Sequence, residues 1–261
     1  MLTHIFTRID DSVGTITIDH RERFNSLDVE TARALRKAGL QMARNDTVRA
    51  VVLRGAGGVF CSGADLKDIR SAPSYGDAFK EILEYIHSTI SEIRRAPKPF
   101  LAAVDGIAAA GGFGLAMSCD LVVASDRASF EWAYSKTGLT GAESSTFMLP
   151  RLIGLRRALE LLLLNPRLDA TRALEYGLIN TVVPAASFDD EVQRIARQLA
   201  SGPTEALGIA KELLNQAAGM DRLDIHLDRE LEQLARIADG GNFEEGIGAF
   251  FEKRAPKFGA A

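Results

Sequence analysis

The chain has 261 residues, of which 31 are Lys or Arg and 35 are Asp or Glu, and its formal net charge is −4. This slightly acidic balance excludes an overall basic field that would favour nucleic acid. The two cysteines, Cys61 and Cys119, cannot form a disulfide framework and suit a reducing compartment, so a cytoplasmic location is expected. The N-terminus lacks a basic segment followed by a long apolar run, so no signal peptide is expected.

Strand and helix patterns alternate over residues 1–130, which predicts an α/β fold. Helical spacing of apolar residues predicts helices over Leu27–Ala43, with Asp28 as the N-cap, and over Phe79–Ile93. The predicted strands are Ile5–Ile9, Thr15–Asp19, Arg49–Leu53, Phe100–Val104 and Leu121–Ala124.

The segment from Phe100 to Cys119 carries one charge, Asp105, in 20 residues. A membrane-spanning helix needs about 20 apolar residues. Four glycines interrupt this segment and no second such run follows, so we predict a buried strand, a turn and a buried helix, and no membrane association.

Beyond Phe147 the pattern is almost wholly helical. A change of composition near residue 195 divides the chain into a predicted domain 1–195 and a helical region 196–261. Asp169 is expected to begin one helix, which Gly177 ends. The other predicted helices are Arg156–Leu164, Asp189–Ala200, Thr204–Ala217, Leu223–Ala238 and Asn242–Lys253.

Glycines cluster in two windows, with four in residues 55–63 and four in residues 106–114. Each window follows a predicted strand, and the second opens a predicted helix. Two such turns could direct two backbone N–H groups at one oxygen, which is the geometry of an oxyanion hole. The alternative is that both windows are tight turns with close helix packing. A dinucleotide site is not supported, because the G-x-G-x-x-G spacing is absent.

Motifs along nearly the whole chain resemble those of the crotonase family, also called the enoyl-CoA hydratase/isomerase family. This resemblance implies a spiral of ββα units over residues 1–195, followed by a helical trimerisation region. It also implies an acyl-CoA substrate, a homotrimer or homohexamer, and no tightly bound cofactor beyond the coenzyme A of the substrate. The matching segments are Arg23–Leu27, Val51–Gly55, Phe60–Leu66, Pro99–Gly106, Asp120–Ala124, Pro150–Gly154, Ala173–Ile179 and Asn242–Phe258.

The resemblance also implies roles for individual residues. The N–H groups of Ala64 and Gly111 would hold the thioester oxygen as it gains negative charge. Arg23 would lie near the phosphates of coenzyme A, and Phe250 and Lys253 could reach it from a neighbouring helix or subunit. The residues expected at the adenine, besides Ala64, are Ser62, Asp65 and Leu66. The four histidines are scattered and suggest no metal site.

Hydratases of the family use two glutamates, and neither is present at the corresponding positions, which are Gly114 and Tyr134. Glycine cannot transfer a proton, and a tyrosine with a pKa of about 10 is a poor base. Other members carry an acid in a later loop, where the position aligned without a gap is Ala142. Glu143, one residue further on, is therefore the leading candidate for the base, the alternative being a solvated loop acid. Burial would have to raise its pKa.

His87 lies on the predicted helix Phe79–Ile93 and is a second acid–base candidate, since the dehalogenases of the family have a histidine there. A structural role is the alternative. Ser144, Ser145 and Thr146 are expected to cap a helix that begins near Phe147. Cys61 is expected to be a buried thiol, and Trp132 and Tyr134 are expected to shape the acyl pocket.

The sequence therefore predicts an enzyme that stabilises a thioester enolate. Isomerisation of a double bond is favoured, because it needs one base and one oxyanion hole, and a hydratase-like step is the related possibility. The alternative from another class is a catalytically inert acyl-CoA-binding or scaffold protein.

Overall fold

A six-stranded sheet lies at the centre of the fold, which we describe from a computed structural model over residues 4–259. The first two strands form an antiparallel hairpin, and the remaining strands of the sheet are parallel. Within the described residues the strands are β1 (Ile5–Asp10), β2 (Val13–Ile18), β3 (Ala50–Gly55), β4 (Phe100–Val104), β5 (Ile107–Ala109), β6 (Leu121–Ser125), β7 (Ser129–Glu131), β8 (Leu168–Asp169) and β9 (Thr181–Val183). The large sheet has the order β1-β2-β3-β4-β6-β9, and β5-β7-β8 form a second, smaller sheet.

Ten helices surround these sheets over residues 4–259. They are α1 (Val29–Arg44), α2 (Leu66–Ser71), α3 (Tyr75–Arg95), α4 (Gly111–Ser118), α5 (Ser145–Leu164), α6 (Ala170–Tyr176), α7 (Phe188–Ser201), α8 (Thr204–Ala217), α9 (Leu223–Ala238) and α10 (Gly241–Glu252). None of the helices in this part of the chain combines the length and apolar composition that a membrane span requires.

The central parallel strands β3, β4 and β6 are largely buried on both faces, as expected for parallel strands, whereas β1 is mostly exposed. Side chains alternate along β3, so that Val51 and Leu53 face the larger core while Val52 faces a smaller core. Helix α7 covers the smaller core with Phe188 and Val192. Residue 195 lies inside α7, and the division of the chain there stays a prediction.

Most predicted elements are confirmed within a few residues, and the differences have local causes. Helix α3 begins after Ser74, whose side chain accepts from Asp77 N–H, one turn before the predicted start. The predicted helix Arg156–Leu164 is the second part of α5, which is interrupted at Gly154 (φ 77°, ψ 156°). Asp28 and Asp169 cap α1 and α6 as predicted.

The C-terminal helices fold back over the N-terminal part of the same chain. Helix α9 packs along α3, burying Leu227 and Leu234, and Asp239 just after α9 accepts from the N–H of Gly76 at 2.8 Å. This packing brings residues of α9 next to the loop before α5, where the candidate site lies.

Candidate active site

The fold brings the two glycine windows together. Cys61 and Ala108 form a parallel β-bridge, and a Cβ placed on Gly63 would lie 2.9 Å from the nitrogen of Gly111. Gly63 has φ +94°, a backbone conformation that side chains disfavour. Neighbouring turns of the two windows are therefore in direct contact.

The N–H of Gly111 stands at the first position of α4, and that of Ala64 follows Gly63 in the adjoining turn. Ala110, just before α4, has φ 46° and ψ −120°, which breaks the strand direction at this point. Neither of the two N–H groups donates to another group within residues 4–259. Two unused donors thus lie on contacting turns, one of them at a helix N-terminus.

Glu143 lies against this pair of turns from the loop before α5. A Cβ on Gly111 would lie 2.6 Å from Oε1 of Glu143, so the carboxylate is beside Gly111. The phenol of Tyr134 donates to Oε2, and the backbone N–H of Glu143 donates to Nε2 of His87 at 3.2 Å. The side chains of Glu143, His87 and Tyr134 are therefore brought together, although they come from three separate segments.

Gly114 has a structural role, because the absence of a side chain there lets the Glu143 loop approach α4 closely. A Cβ at Gly114 would lie 2.9 Å from the Cβ of Glu143 and would overlap its carbonyl oxygen. A side chain at Gly114 and the observed Glu143 loop are mutually exclusive.

Burial controls the ionisation of the group. Burial raises the pKa of Glu143 to about 7, with the charge of Glu230 adding to this effect and the Tyr134 hydrogen bond opposing it. The pKa of Tyr134 is raised well above its ordinary value by burial and by the Glu143 charge, so the phenol stays protonated. Burial lowers the pKa of His87 to about 4, so its imidazole is neutral near pH 7.

In this structure His87 is a support for Glu143. Its Nε2 lone pair accepts the Glu143 N–H, which leaves the proton of the neutral ring on Nδ1. The nearby thiol of Cys61 is fully buried, and burial raises its pKa to about 12. Cys61 is therefore a buried thiol, as expected.

The N-terminus of α5 differs from the prediction. Ser144 makes no side-chain cap, and its hydroxyl is buried without a partner among the described residues. Instead, Glu230 of α9 accepts from the N–H groups of Ser144 at 2.8 Å and Thr146 at 3.0 Å. The Ser145 hydroxyl accepts from the Trp132 indole at 3.3 Å. Glu230 was not predicted from the sequence, because its contacts with this loop join residues 84 and 86 positions apart.

The segment predicted to bind adenine alternates in exposure. Ser62, Ala64 and Leu66 are partly exposed, whereas the residues between them are buried. The carboxylate of Asp65 is fully engaged, because it caps α2 and accepts from both Ser26 and Arg23. The side chain of Asp65 is thus used for structure. Its backbone is engaged as well, because its N–H donates to the Leu27 carbonyl and its own carbonyl accepts from the Ile69 N–H, both at 3.0 Å.

Arg23 lies at the edge of this segment, with its guanidinium 2.7 Å from Asp65 and its side chain 33% exposed. Helix α10 reaches the same region, since the Phe251 ring packs under Arg70 of α2. Phe250, on α10, and Lys253, just after it, are exposed. Within residues 4–259, no three His, Cys, Asp or Glu side chains lie close enough to hold one metal ion.

Comparison with known proteins agrees with this fold. The family model described as enoyl-CoA hydratase/isomerase matches residues 8–261. A solved enoyl-CoA hydratase from Mycobacterium avium subsp. paratuberculosis K-10 superposes with a TM-score of 0.90 at 31% identity, covering 99% of both chains. The chain therefore belongs to the enoyl-CoA hydratase/isomerase family and has the crotonase fold.

Two curated relatives bear more specific names. The chain is 36% identical to the 1,2-epoxyphenylacetyl-CoA isomerase of Escherichia coli (strain K12), with 99% of each chain covered. It is 34% identical to 4-chlorobenzoyl coenzyme A dehalogenase-2 of Arthrobacter sp, over 96% of this chain and 91% of the relative.

Proposed function

We propose that this protein is an acyl-CoA isomerase that moves a carbon–carbon double bond, with Glu143 as the proton carrier. The observation that carries this proposal is the single buried carboxylate beside Gly111, adjacent to two N–H groups without protein acceptors. The N–H groups of Ala64 and Gly111 hold the thioester oxygen in the proposed complex.

The proposed reaction needs one base. The carboxylate of Glu143 removes a proton from the carbon between the thioester carbonyl and a 3,4 double bond. The C–H electron pair forms a dienolate, whose negative charge on the thioester oxygen is stabilised by both N–H groups. The carboxyl group then returns the proton to the γ-carbon, which leaves a 2,3 double bond and regenerates the carboxylate.

The ionisation of the site supports this role. A pKa of about 7 suits a group that must both accept and return a proton near neutral pH. Tyr134 donates to Oε2, whereas Oε1 has no donor within the described residues and lies beside Gly111. Oε1 is therefore the proposed proton-accepting atom.

The same geometry disfavours hydration by two glutamates. Gly114 offers no carboxylate, and Tyr134 remains a neutral phenol that donates to Glu143. An inert scaffold is disfavoured for another reason, because burying Glu143 beside two unused donors costs stability without a structural gain.

Features of the surface support two further proposals on ligand and assembly. Ser62, Ala64 and Leu66 form a partly exposed edge for coenzyme A, near Arg23 and α10. Helices α5 and α8 each expose several leucines, which supports a homotrimer or homohexamer; light scattering after size-exclusion chromatography would test this assembly. The most exposed of these leucines are Leu155, Leu163, Leu164, Leu213 and Leu214.

To test this proposal, purified protein is incubated separately with 3-hexenoyl-CoA, 2-hexenoyl-CoA and phenylacetyl-type unsaturated CoA thioesters. The products are separated by chromatography and identified by their masses. We expect interconversion of 3- and 2-enoyl isomers without uptake of water. Glu143→Gln should lower kcat/KM by about 10²–10⁴-fold, as for loss of a general base. The exposed Glu175→Gln variant is the matched control and should keep wild-type activity.

Three outcomes would reject the proposal in different ways. A mass gain of one water identifies a hydratase, and tight binding of every thioester without turnover identifies a binding protein. Full isomerase activity in Glu143→Gln removes the proposed base.

A further inference from the structure

Glu230 of α9 binds the backbone of the loop that carries Glu143. Its side chain is 3% exposed, and both of its oxygens face this loop. Oε2 accepts from Ser144 N–H at 2.8 Å, and Oε1 accepts from Thr146 N–H at 3.0 Å and from the Thr146 hydroxyl. His226, one turn earlier on α9, contacts the same hydroxyl at 2.8 Å.

The loop needs this support because its backbone is strained. Glu143 (φ 50°) and Ser144 (φ 64°) are consecutive residues in the left-handed region, which non-glycine residues disfavour. Since the Ser144 hydroxyl does not cap α5, the carboxylate of Glu230 supplies the missing acceptors at the helix N-terminus.

We infer that Glu230 is a positioning residue, whose carboxylate holds the Ser144–Thr146 backbone so that the Glu143 carboxyl stays beside Gly111. The inference rests on the proposed role of Glu143 as the proton carrier. It assigns to α9 a part in the chemistry, although no group of that helix touches the proposed reacting atoms.

Glu230 also acts on Glu143 through its charge. The groups that face Glu143 are the Tyr134 phenol, the His87 imidazole and the Cys61 thiol, all neutral near pH 7, and the Glu230 carboxylate. The group nearest Glu230 that could be positive is His226, at 3.7 Å, and burial lowers its pKa. Burial raises the pKa of Glu230 itself to about 7, so the two carboxyl groups titrate in the same range. When Glu230 is ionised, its negative charge raises the pKa of Glu143.

The test compares Glu230→Gln with Glu232→Gln, an exposed glutamate two residues further along α9. Glutamine keeps the size of the side chain but removes its charge and turns one acceptor into a donor facing an N–H. We expect kcat for 3-hexenoyl-CoA isomerisation to fall about 10–100-fold, as for displaced catalytic groups, with KM changed less than about twofold. The control should match wild type.

The pH profile separates positioning from simple stabilisation. The acid limb of kcat/KM, where Glu143 must be ionised, should move to lower pH by roughly half a unit or more in Glu230→Gln, because a neighbouring negative charge is lost. A lower melting temperature with an unchanged acid limb and unchanged kcat would overturn the inference.

If Glu230→Gln does not fold, a second pair of variants tests whether Glu230 positions the loop that carries Glu143. Thr146→Val removes the hydroxyl that joins Glu230 to His226 but keeps the Thr146 N–H, and Thr146→Ser retains the hydroxyl. We expect kcat to fall about 3–10-fold in the valine variant, as for loss of one hydrogen bond to a charged group, and to recover in the serine variant. Equal activity of both variants would contradict the inference.

Carbon-13 NMR of labelled glutamate carboxyls tests Glu230 without turnover. The resonance missing from Glu143→Gln identifies Glu143, and its titration midpoint should be lower in Glu230→Gln than in wild type. If Glu143→Gln stays active, the proposed function fails, whereas an unchanged midpoint in Glu230→Gln overturns only the inference on Glu230.

Discussion

Placing a glutamate at position 114 tests whether this site can support two-glutamate chemistry. The structure predicts that it cannot, because the Glu143 loop occupies the space that a side chain at Gly114 would need. Even the Cβ of Gly114→Ala would lie 2.9 Å from the Cβ of Glu143 and would overlap the Glu143 carbonyl. The contact involves backbone, so a change of rotamer cannot relieve it.

The expected magnitudes follow from this overlap. Overpacking a closely packed region costs about 1–3 kcal/mol. For a chain of this size, that cost corresponds to a melting temperature lower by roughly 2–10 °C. Moving the Glu143 carboxyl by about 1 Å should reduce kcat by about 10²-fold. Gly114→Glu adds a second buried negative charge beside Glu143, so its effect on both quantities should be larger.

The assay measures isomerisation of 3-hexenoyl-CoA, hydration of 2-hexenoyl-CoA and the melting temperature of each variant. Gly248→Ala on α10 is the control, because a Cβ there meets nothing within 4 Å. This control should keep its activity and melt no lower than wild type, since alanine favours helix. Hydratase activity in Gly114→Glu, together with undiminished isomerase activity, would refute the reasoning.

Two further predictions concern the titration of Glu143. Tyr134→Phe removes a hydrogen bond that stabilises the Glu143 carboxylate. The pKa of Glu143, and with it the acid limb of kcat/KM, should therefore rise by roughly one pH unit. An acid limb at the wild-type pH would argue against this contact. The pKa of Glu143 is higher in the folded protein than in the unfolded chain. The protonated carboxyl therefore contributes stability at pH values below the unfolded-state pKa, and this contribution is lost as pH rises through about 7. Glu143→Gln should therefore gain stability relative to wild type as pH rises from 4.5 to about 7 in urea unfolding, and a constant difference over this range would contradict the prediction.

Local patterns in the sequence were sufficient for most of the secondary structure and for the two glycine turns. Apolar spacing and capping residues such as Asp28 act over a few residues, so they appear directly in the sequence. Glu143 could be singled out because the resemblance placed an acid in its loop. The resemblance could not show that Glu143 is buried, that it contacts Tyr134 or that His87 supports it.

The tertiary structure alone decided how the site is built. Gly114 is required by the approach of a loop about 30 positions later in the chain, and Glu230 caps α5 from a helix 84 and 86 positions beyond its partners. The Glu230 contacts depend on how α9 packs along α3, and the Gly114 contact depends on how the loop before α5 packs on α4. Neither contact leaves a local periodicity in the sequence. The sequence by itself determined the family, the turns and the candidate carboxylate. Only the packed chain determined that this carboxylate is buried, with its pKa raised by that burial and by the charge of Glu230.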